Sequence, residues 1–288
     1  MRGPKIEPLD ATLGAVVTDV HVAFLDAPSW HAVEKAFHEH ALLVFPGQSV
    51  GPEEQVAFAR RFGEIEHLFG DAGWVPISNQ RRDGTPLDDA SAPMQIMRGN
   101  EGWHTDSSYM PVSARASILS AQVAVASGGE TEWADMRAAY DALDADVRER
   151  IAALSAYHSI RHSQARIGHT EQSGGGYGFD VAEPPLRPLV KTHPVTGRKA
   201  LYIGRHAYGI PGLAPAESFQ LLDDLLDFAC RPPRVHRHAW QPGDVVVWDN
   251  RCLLHRARPY DHREPRVMRH TRIAGDPATE SASAISLH

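Results

Sequence analysis

Apolar positions along this chain change their period several times, and each change marks an element. In "PSWHAVEKAFHEHALLVFPGQSV" they recur at helical spacing, then run together as "ALLVF" at 41–45 until Pro46-Gly47 stops them. That pattern predicts a helix feeding a buried strand. "GPEEQVAFARRFG" predicts a second helix, with Pro52 in its first turn and Gly63 just past its end. Residues 64–98, rich in Gly, Asp and Pro, read as a long loop with short strands. "ASILSAQVAVAS" at 116–127 alternates small and apolar residues as a strand does. "MRAAYDALDADVRERIAAL" predicts one or two helices, and "APAESFQLLDDLLDFAC" at 214–230 an amphipathic one. "KALYIG", "VHRHAW", "DVVVWDN" and "RVMRHTRIAG" read as short strands. The end, "DPATESASAISLH", is small and polar. One domain is therefore expected over 1–276 and a disordered tail over 277–288.

Strands near both ends with helices between them predict a mainly β fold with inserted helices, a sandwich or barrel, rather than an alternating βαβ fold. "SGGGYGF" at 173–179 lacks the strand, the spacing and the acidic residue of a dinucleotide loop. It reads as a flexible loop and a candidate lid.

Composition narrows the function classes. A hydrophobic fraction of 42% and a charged fraction of 23% are those of a soluble globular protein. The net charge of −7, with no Lys/Arg run, argues against a nucleic-acid partner. Two cysteines without CxxC spacing fit a reducing cytosol and disfavour a disulfide scaffold or a thiolate zinc site. "MRGPKIEPLD" has no apolar h-region, and "ALLVF" is far too short to span a bilayer. A cytoplasmic protein without a membrane partner is expected. The outlier is 17 His, which directs attention to nitrogen-ligated metals.

"GNEGWHTDSSYM", residues 99–110, spaces His104 and Asp106 so that a strand would put both on one face. An imidazole nitrogen and a carboxylate oxygen could then take adjacent corners of one octahedron. The pair alone could equally be a polar contact at a strand edge. A third ligand candidate, His255, follows the buried strand ending in Trp248-Asp249-Asn250. Two His and one carboxylate, leaving open positions, are the facial triad of non-haem Fe(II) oxygenases; alone, His255 could simply bond a loop. Arg266, further on at the start of the last β-like segment, could clamp a carboxylate bidentately.

With these residues in order, the chain resembles the taurine dioxygenase/dichlorophenoxyacetate dioxygenase family of Fe(II)/2-oxoglutarate-dependent oxygenases. The likeness runs through "HALLVFPGQ", "FARRFGEIE", "WHTDSSYMPV", "GGETEWADMRAAYDAL", "THPVTGRKALYIGRHAYGIPG", "GDVVVWDNRCLLHRARP" and "RVMRHTRIAGD". It leaves out the tail and the 64–98 and 163–186 loops. Within the family the chain is similar to enzymes that cleave (S)-2-phenoxypropionate and phenoxyacetate herbicides. The resemblance implies a double-stranded β-helix, or jelly roll, with His104, Asp106 and His255 on Fe(II). It implies Arg266 and Thr131 on the distal carboxylate of the co-substrate 2-oxoglutarate, Trp248 packing near that pocket, and O2 as oxidant. Asn100, His206 and Tyr208 become candidate substrate contacts. Where the sulfonate-binding branch has an Arg, four residues after Arg266, this chain has His270. A taurine-like substrate is therefore disfavoured, and His270 with Arg272, on the face of Arg266, become candidates for the substrate's anion.

The substrate implied is a small anionic aromatic molecule, with another small carboxylate or sulfonate as the alternative, and a homo-oligomer is expected. Two rival classes remain at this stage. A metal-binding sensor or storage jelly roll would have no need of Arg266 or Thr131. A zinc hydrolase would need an acid/base carboxylate, and no HExxH-like motif supplies one.

Overall fold

The computed structural model describes residues 3–68, 70–169 and 177–282. In chain order the first elements are β1 (Lys5–Pro8), β2 (Ala15–Thr18), α1 (Ala27–His40), β3 (Leu42–Phe45), α2 (Pro52–Arg60), β4 (Val75–Ser78) and α3 (Ala92–Gly99). The middle contributes β5 (Ala116–Val123), β6 (Thr131–Asp135), α4 (Met136–Asp141), α5 (Ala145–Ile151), β7 (Ser155–His158), α6 (Ile160–Ala165), β8 (Leu186–Pro188), β9 (Val190–Thr192), β10 (Lys199–Leu201) and β11 (Ala207–Tyr208). The last part adds α7 (Pro215–Ala229), β12 (Val235–His238), β13 (Val245–Asp249), β14 (Leu253–Ala257), β15 (Val267–Ile273) and α8 (Pro277–Glu280).

Seven strands form the major sheet in the order β1-β2-β3-β13-β5-β15-β4, and β12-β6-β14 form a smaller one. The two close the double-stranded β-helix expected from the resemblance. β13, "VVVWD", is buried along its whole length, with β3 on one side and β5 on the other. A β-branched run buried on both faces suits that central place. Side chains from both sheets meet in the interior, where the Trp133 and Trp248 rings lie 5.7 Å apart. On the outer face α1 and α2 cover the major sheet through Phe37, Phe58 and Phe62, packed edge to face at 4.9 and 5.3 Å. Asp26 caps α1 by accepting the Ser29 N–H, and the helix stops where Ala41 turns to a φ of 60°.

The helix-to-strand unit over 27–45, the second helix and the 215–229 helix stand where the apolar pattern put them. Three expectations change. The long loop over 64–98 contains α3 as well as β4. The strand read over 116–127 ends at Val123. The tail expected to be disordered from 277 begins with α8, whose Glu280 is buried. That carboxylate accepts from Ser113 and pairs with Lys191, while Arg187 donates to the Glu280 carbonyl. A composition argument misses such an anchor because one buried acid with three partners outweighs a polar neighbourhood. Residues 283–288 of that tail lie outside the described residues, as do 173–176 of the candidate lid. Among the described residues no helix is long and apolar enough to cross a membrane.

Candidate metal centre

His104 lies against the edge strand β14. Its N–H donates to the His255 carbonyl at 2.9 Å, and its carbonyl accepts from the His255 N–H at 2.7 Å. The strand expected over 104–106 is thus a single bridged pair, after which the chain turns through Ser107, with a φ of 56°. The side chains converge all the same. One ligand atom from each of His104, Asp106 and His255 lies within 4.8 Å of the others, and all three residues are buried. His255 stands in the middle of β14, a strand the sequence reading did not separate from the preceding turn.

Asn250 ties this turn to the sheets. Its carbonyl accepts from Thr105 Oγ1 at 2.7 Å, and its Oδ1 accepts from the Asp106 N–H at 3.3 Å and from Trp248 Nε1 at 3.0 Å. Its Nδ2 donates to Ser117 Oγ at 2.9 Å, and Ser117 in turn donates to Asp106 Oδ2 at 2.6 Å. A closed ring of hydrogen bonds therefore fixes the Asp106 carboxylate before any ligand arrives. Sequence reasoning missed both Asn250 and Ser117. Asn250 was visible only as a turn residue, and Ser117 only as a small residue in a strand.

The donor set fits a divalent iron. His104 Nδ1 donates to the Gly102 carbonyl at 2.8 Å, which leaves the lone pair on Nε2. Burial pulls His104 down to about 4 and His255 well below the usual imidazole range, so both are neutral and able to ligate near pH 7. Burial alone would raise the Asp106 carboxyl, but Arg272, His255 and His270 reverse this and hold it well below the usual range. Two neutral imidazoles and one carboxylate on one face make a site for Fe(II) with open positions. A second cluster, His38, His193 and Asp249, differs in kind. Arg251 already grips Asp249 through Nε at 2.8 Å and Nη2 at 2.5 Å, and His193 Nε2 lies 3.0 Å from Asp249 Oδ2, so both carboxylate oxygens are engaged within the protein.

The triad opens into a cavity with about 1090 Å³ of empty space, its open mouth included. That is room for two small organic molecules side by side. Arg266 lines it, buried, with Nε and Nη2 donating to the Gly129 carbonyl at 3.2 and 3.1 Å. Gly129 has to be glycine: its φ is 66°, and a Cβ there would stand 2.9 Å from Val125 and 3.2 Å from Arg266 Nε. Thr131 lines the same cavity and accepts from Trp240 Nε1 at 2.9 Å, so its own hydroxyl proton is left to donate. Trp240, which the sequence reading passed over, fixes that direction. Trp248 packs as expected, its ring 4.7 Å from His255 and parallel to His270 at 5.9 Å.

Of the candidate substrate contacts, Asn100, His206, His270 and Arg272 line the cavity and Tyr208 does not. Tyr208 stacks on His162 at 4.2 Å and faces a separate groove beside α7. A two-residue strand, β11, sends consecutive side chains to opposite sides, so His206 and Tyr208 could share a face only on a longer one. His270 and Arg272 turn onto the metal-site carboxylate. His270 Nε2 is 3.5 Å from Asp106 Oδ2, Arg272 Nη2 is 3.2 Å from Oδ1, and Arg272 Nη1 donates to Ser107 Oγ at 3.0 Å. The anion that both side chains face within the protein is the Asp106 carboxylate. Arg269 points the other way, donating to the Val50 carbonyl at 3.0 Å. Of the candidate lid, Tyr177 and Phe179 are described and line the cavity, with Tyr177 hydrogen-bonded to Glu66. Arg205, Tyr109 and Gln164 also line it and were not foreseen.

The family described as taurine catabolism dioxygenase TauD, TfdA family matches residues 5–272. An (S)-phenoxypropionate/alpha-ketoglutarate-dioxygenase of Sphingobium herbicidovorans is 54% identical over 285 residues, 97% of this chain and 98% of that protein. One of the same description from Delftia acidovorans is 52% identical, covering 98% of each. An alpha-ketoglutarate-dependent 2,4-dichlorophenoxyacetate dioxygenase of a Burkholderia species is 41% identical over 84% of each chain. Among solved structures, that of AAD-2 in complex with Mn(II) and N-oxalylglycine superposes with a TM-score of 0.90 at 38% identity, covering 98% of this chain and all of that one.

Proposed function

The chain belongs to the taurine catabolism dioxygenase TauD, TfdA family, and from that premise we propose that it cleaves aryloxyalkanoates such as (S)-2-phenoxypropionate or phenoxyacetate. It is an Fe(II)- and 2-oxoglutarate-dependent dioxygenase. The observation that carries the residue assignment is the convergence of His104, Asp106, His255 and Arg266 on one cavity. The substrate class is supported by full-length relatives more than half identical to this chain that act on (S)-phenoxypropionate.

His104, Asp106 and His255 would hold the iron. With 2-oxoglutarate and O2, iron supplies the oxidising chemistry that converts 2-oxoglutarate to succinate and CO2 and hydroxylates a substrate C–H bond. Arg266 would bind the distal carboxylate of 2-oxoglutarate, and Thr131 would donate its hydroxyl proton to the same group. Trp248 would wall the cavity against water, and the Asn250–Ser117 ring would keep the Asp106 carboxylate in place. Asn100 and His206 would border the substrate. Hydroxylation beside the ether oxygen leaves one carbon bearing both a hydroxyl and the aryloxy group. Loss of the hydroxyl proton and departure of the aryloxide break the C–O bond, giving a phenol and a keto or aldehyde acid.

The homo-oligomeric state and the cytoplasmic location belong to the same proposal; free Cys230 and Cys252 agree with a reducing compartment. The test runs phenol release from aryloxyalkanoates beside sulfite release from taurine, with and without Fe(II) and 2-oxoglutarate. Phenol release requiring both is expected. Taurine turnover above that of every aryloxy acid overturns the substrate class.

A further inference from the structure

We infer that Asn79 is a positioning residue for the co-substrate: it sets the point from which Arg266 reaches the distal carboxylate of 2-oxoglutarate. The inference rests on the reading of Arg266 given above and deepens it. Arg266 stands just before β15, at the end of an irregular approach. Residues 262–266 belong to no strand, and Pro265 has no N–H to give. On the β5 side the ladder slips just beyond Arg266. Val267 pairs there with Val123 and Met268 with Ala121, so Gln122 is passed over. On the β4 side the pairing begins at Val267 with Ser78. Regular strand pairing therefore stops short of the arginine that faces the cavity.

Asn79, which follows β4 and is 2% exposed, takes over at that point. Its Oδ1 accepts from the Arg266 N–H at 2.9 Å, and its own N–H donates to the Arg266 carbonyl at 3.4 Å. Its Nδ2 donates to the His262 and Glu264 carbonyls at 2.9 and 2.7 Å. One buried amide thus spends both Nδ2 hydrogens and its oxygen on residues 262–266. Its carbonyl accepts from the Leu87 N–H at 2.8 Å, which ties this clamp to the chain that follows. Val75 and Ile77 of the same strand line the cavity, and Asn79 continues their alternation. At its far end the Arg266 side chain meets the Gly129 carbonyl at 3.2 and 3.1 Å and the Tyr260 ring at 5.6 Å. Those contacts aim the guanidinium; the Asn79 amide fixes the base from which it extends. A bidentate carboxylate contact needs its partner held to about 0.5 Å, so an error at the base is felt at the tip.

The test titrates Mn(II)-loaded protein without oxygen, by calorimetry, with 2-oxoglutarate and with 2-oxopentanoate, which has a methyl group in place of the distal carboxylate. The wild type should prefer 2-oxoglutarate at least about tenfold. In Asn79→Ala the Kd of 2-oxoglutarate should rise ~10-fold, while 2-oxopentanoate and Mn(II) bind within about threefold of wild type. A residue acting through the fold alone would weaken both ligands alike or neither. Added to Arg266→Gln, the Asn79→Ala change should shift neither ligand further, because the contact it serves is already gone. In steady state the 2-oxoglutarate KM should rise while kcat at saturation holds. Asn79→Ser, too short to bridge Arg266 to the His262 and Glu264 carbonyls, decides the matter if Asn79→Ala does not fold. A preference lost in Arg266→Gln but undiminished in Asn79→Ala, or in Asn79→Ser where only that variant folds, overturns this inference and leaves the reading of Arg266 standing. A wild type without the preference, or an Arg266→Gln protein that keeps it, overturns both together.

Discussion

Arg266→Gln separates binding of the co-substrate from integrity of the fold. The guanidinium is 5% exposed, donates twice to the Gly129 carbonyl and stands over the Tyr260 ring at 5.6 Å. Among the described residues it has no carboxylate partner, and burial lowers its pKa. Glutamine removes an uncompensated charge, so the ligand-free protein should lose little stability. A charge-assisted pair with 2-oxoglutarate is worth ~1.5–3 kcal/mol, hence a ~10–100-fold rise in its Kd. At a 2-oxoglutarate concentration of about 100 Kd, ligand stabilises the wild type by ~2.7 kcal/mol; a hundredfold weaker variant at the same concentration gains only ~0.4 kcal/mol. At roughly 2–4 °C per kcal/mol, the increase in Tm should fall from about 5–10 °C to about 1 °C. Thermal unfolding of the Mn(II)-loaded protein with and without 2-oxoglutarate measures it. An equal increase in both proteins would refute the role of Arg266 and move the contact to another cation.

His104→Ala, Asp106→Ala and His255→Ala should each abolish turnover and leave substoichiometric metal after dialysis; near-wild-type turnover in saturating Fe(II) removes that residue from the triad. Asn250→Ala should weaken metal binding ~10–100-fold through loss of the ring that fixes Asp106, with metal titration as the readout; unchanged affinity makes Asn250 a packing residue only. Gly129→Ala should raise the 2-oxoglutarate KM while iron binding holds, because the added Cβ meets Arg266 Nε at 3.2 Å; an unchanged value refutes that coupling. Glu66, which accepts from Ser107 at 2.9 Å, is pushed by burial from 4.5 to about 7 against the pull of Arg272. The folded state then holds the proton more tightly than the unfolded one, so stability is lost as pH rises from about 4.5 through 7. Glu66→Gln should therefore gain on the wild type, by up to ~3 kcal/mol, between pH 5 and pH 8 in denaturant titrations; a constant difference across that range refutes it.

The parts legible in the sequence were those whose causes are local. α1 and β3 follow from apolar period and a Pro-Gly stop, and α2 and α7 from helical spacing with a proline in the first turn. α3 was hidden because "SAPMQIMRG" sits in a stretch of loop-like composition, and a helix of eight residues has little pattern to show. The metal triad was legible as residue types in order, although the geometry invoked for it was wrong in detail: bridging to β14, not a strand of its own, sets His104 against His255, and Asp106 comes in from the turn that follows. The pairing of His270 and Arg272 with Asp106 was hidden for a different reason. Alternation along β15 does put His270 and Arg272 on the cavity side. Facing a cavity does not say which charge a side chain answers, and here it is Asp106.

The same point explains why the site needs both sheets. His255 comes from β14 of the small sheet, whereas Ser117, His270 and Arg272, which face Asp106, come from β5 and β15 of the large one. Asp106 belongs to neither: it hangs on a turn between them and is fixed by Asn250 at the end of β13. A carboxylate so placed keeps its charge because the large sheet sets the Arg272 guanidinium beside it, and both imidazoles stay neutral because the interior between the sheets desolvates them. Protonation states that suit a divalent metal thus arise from the packing of one sheet on the other. Among the described residues Arg266 and Arg205 pair with no carboxylate, so their charges stay outside that internal neutralisation and face the cavity.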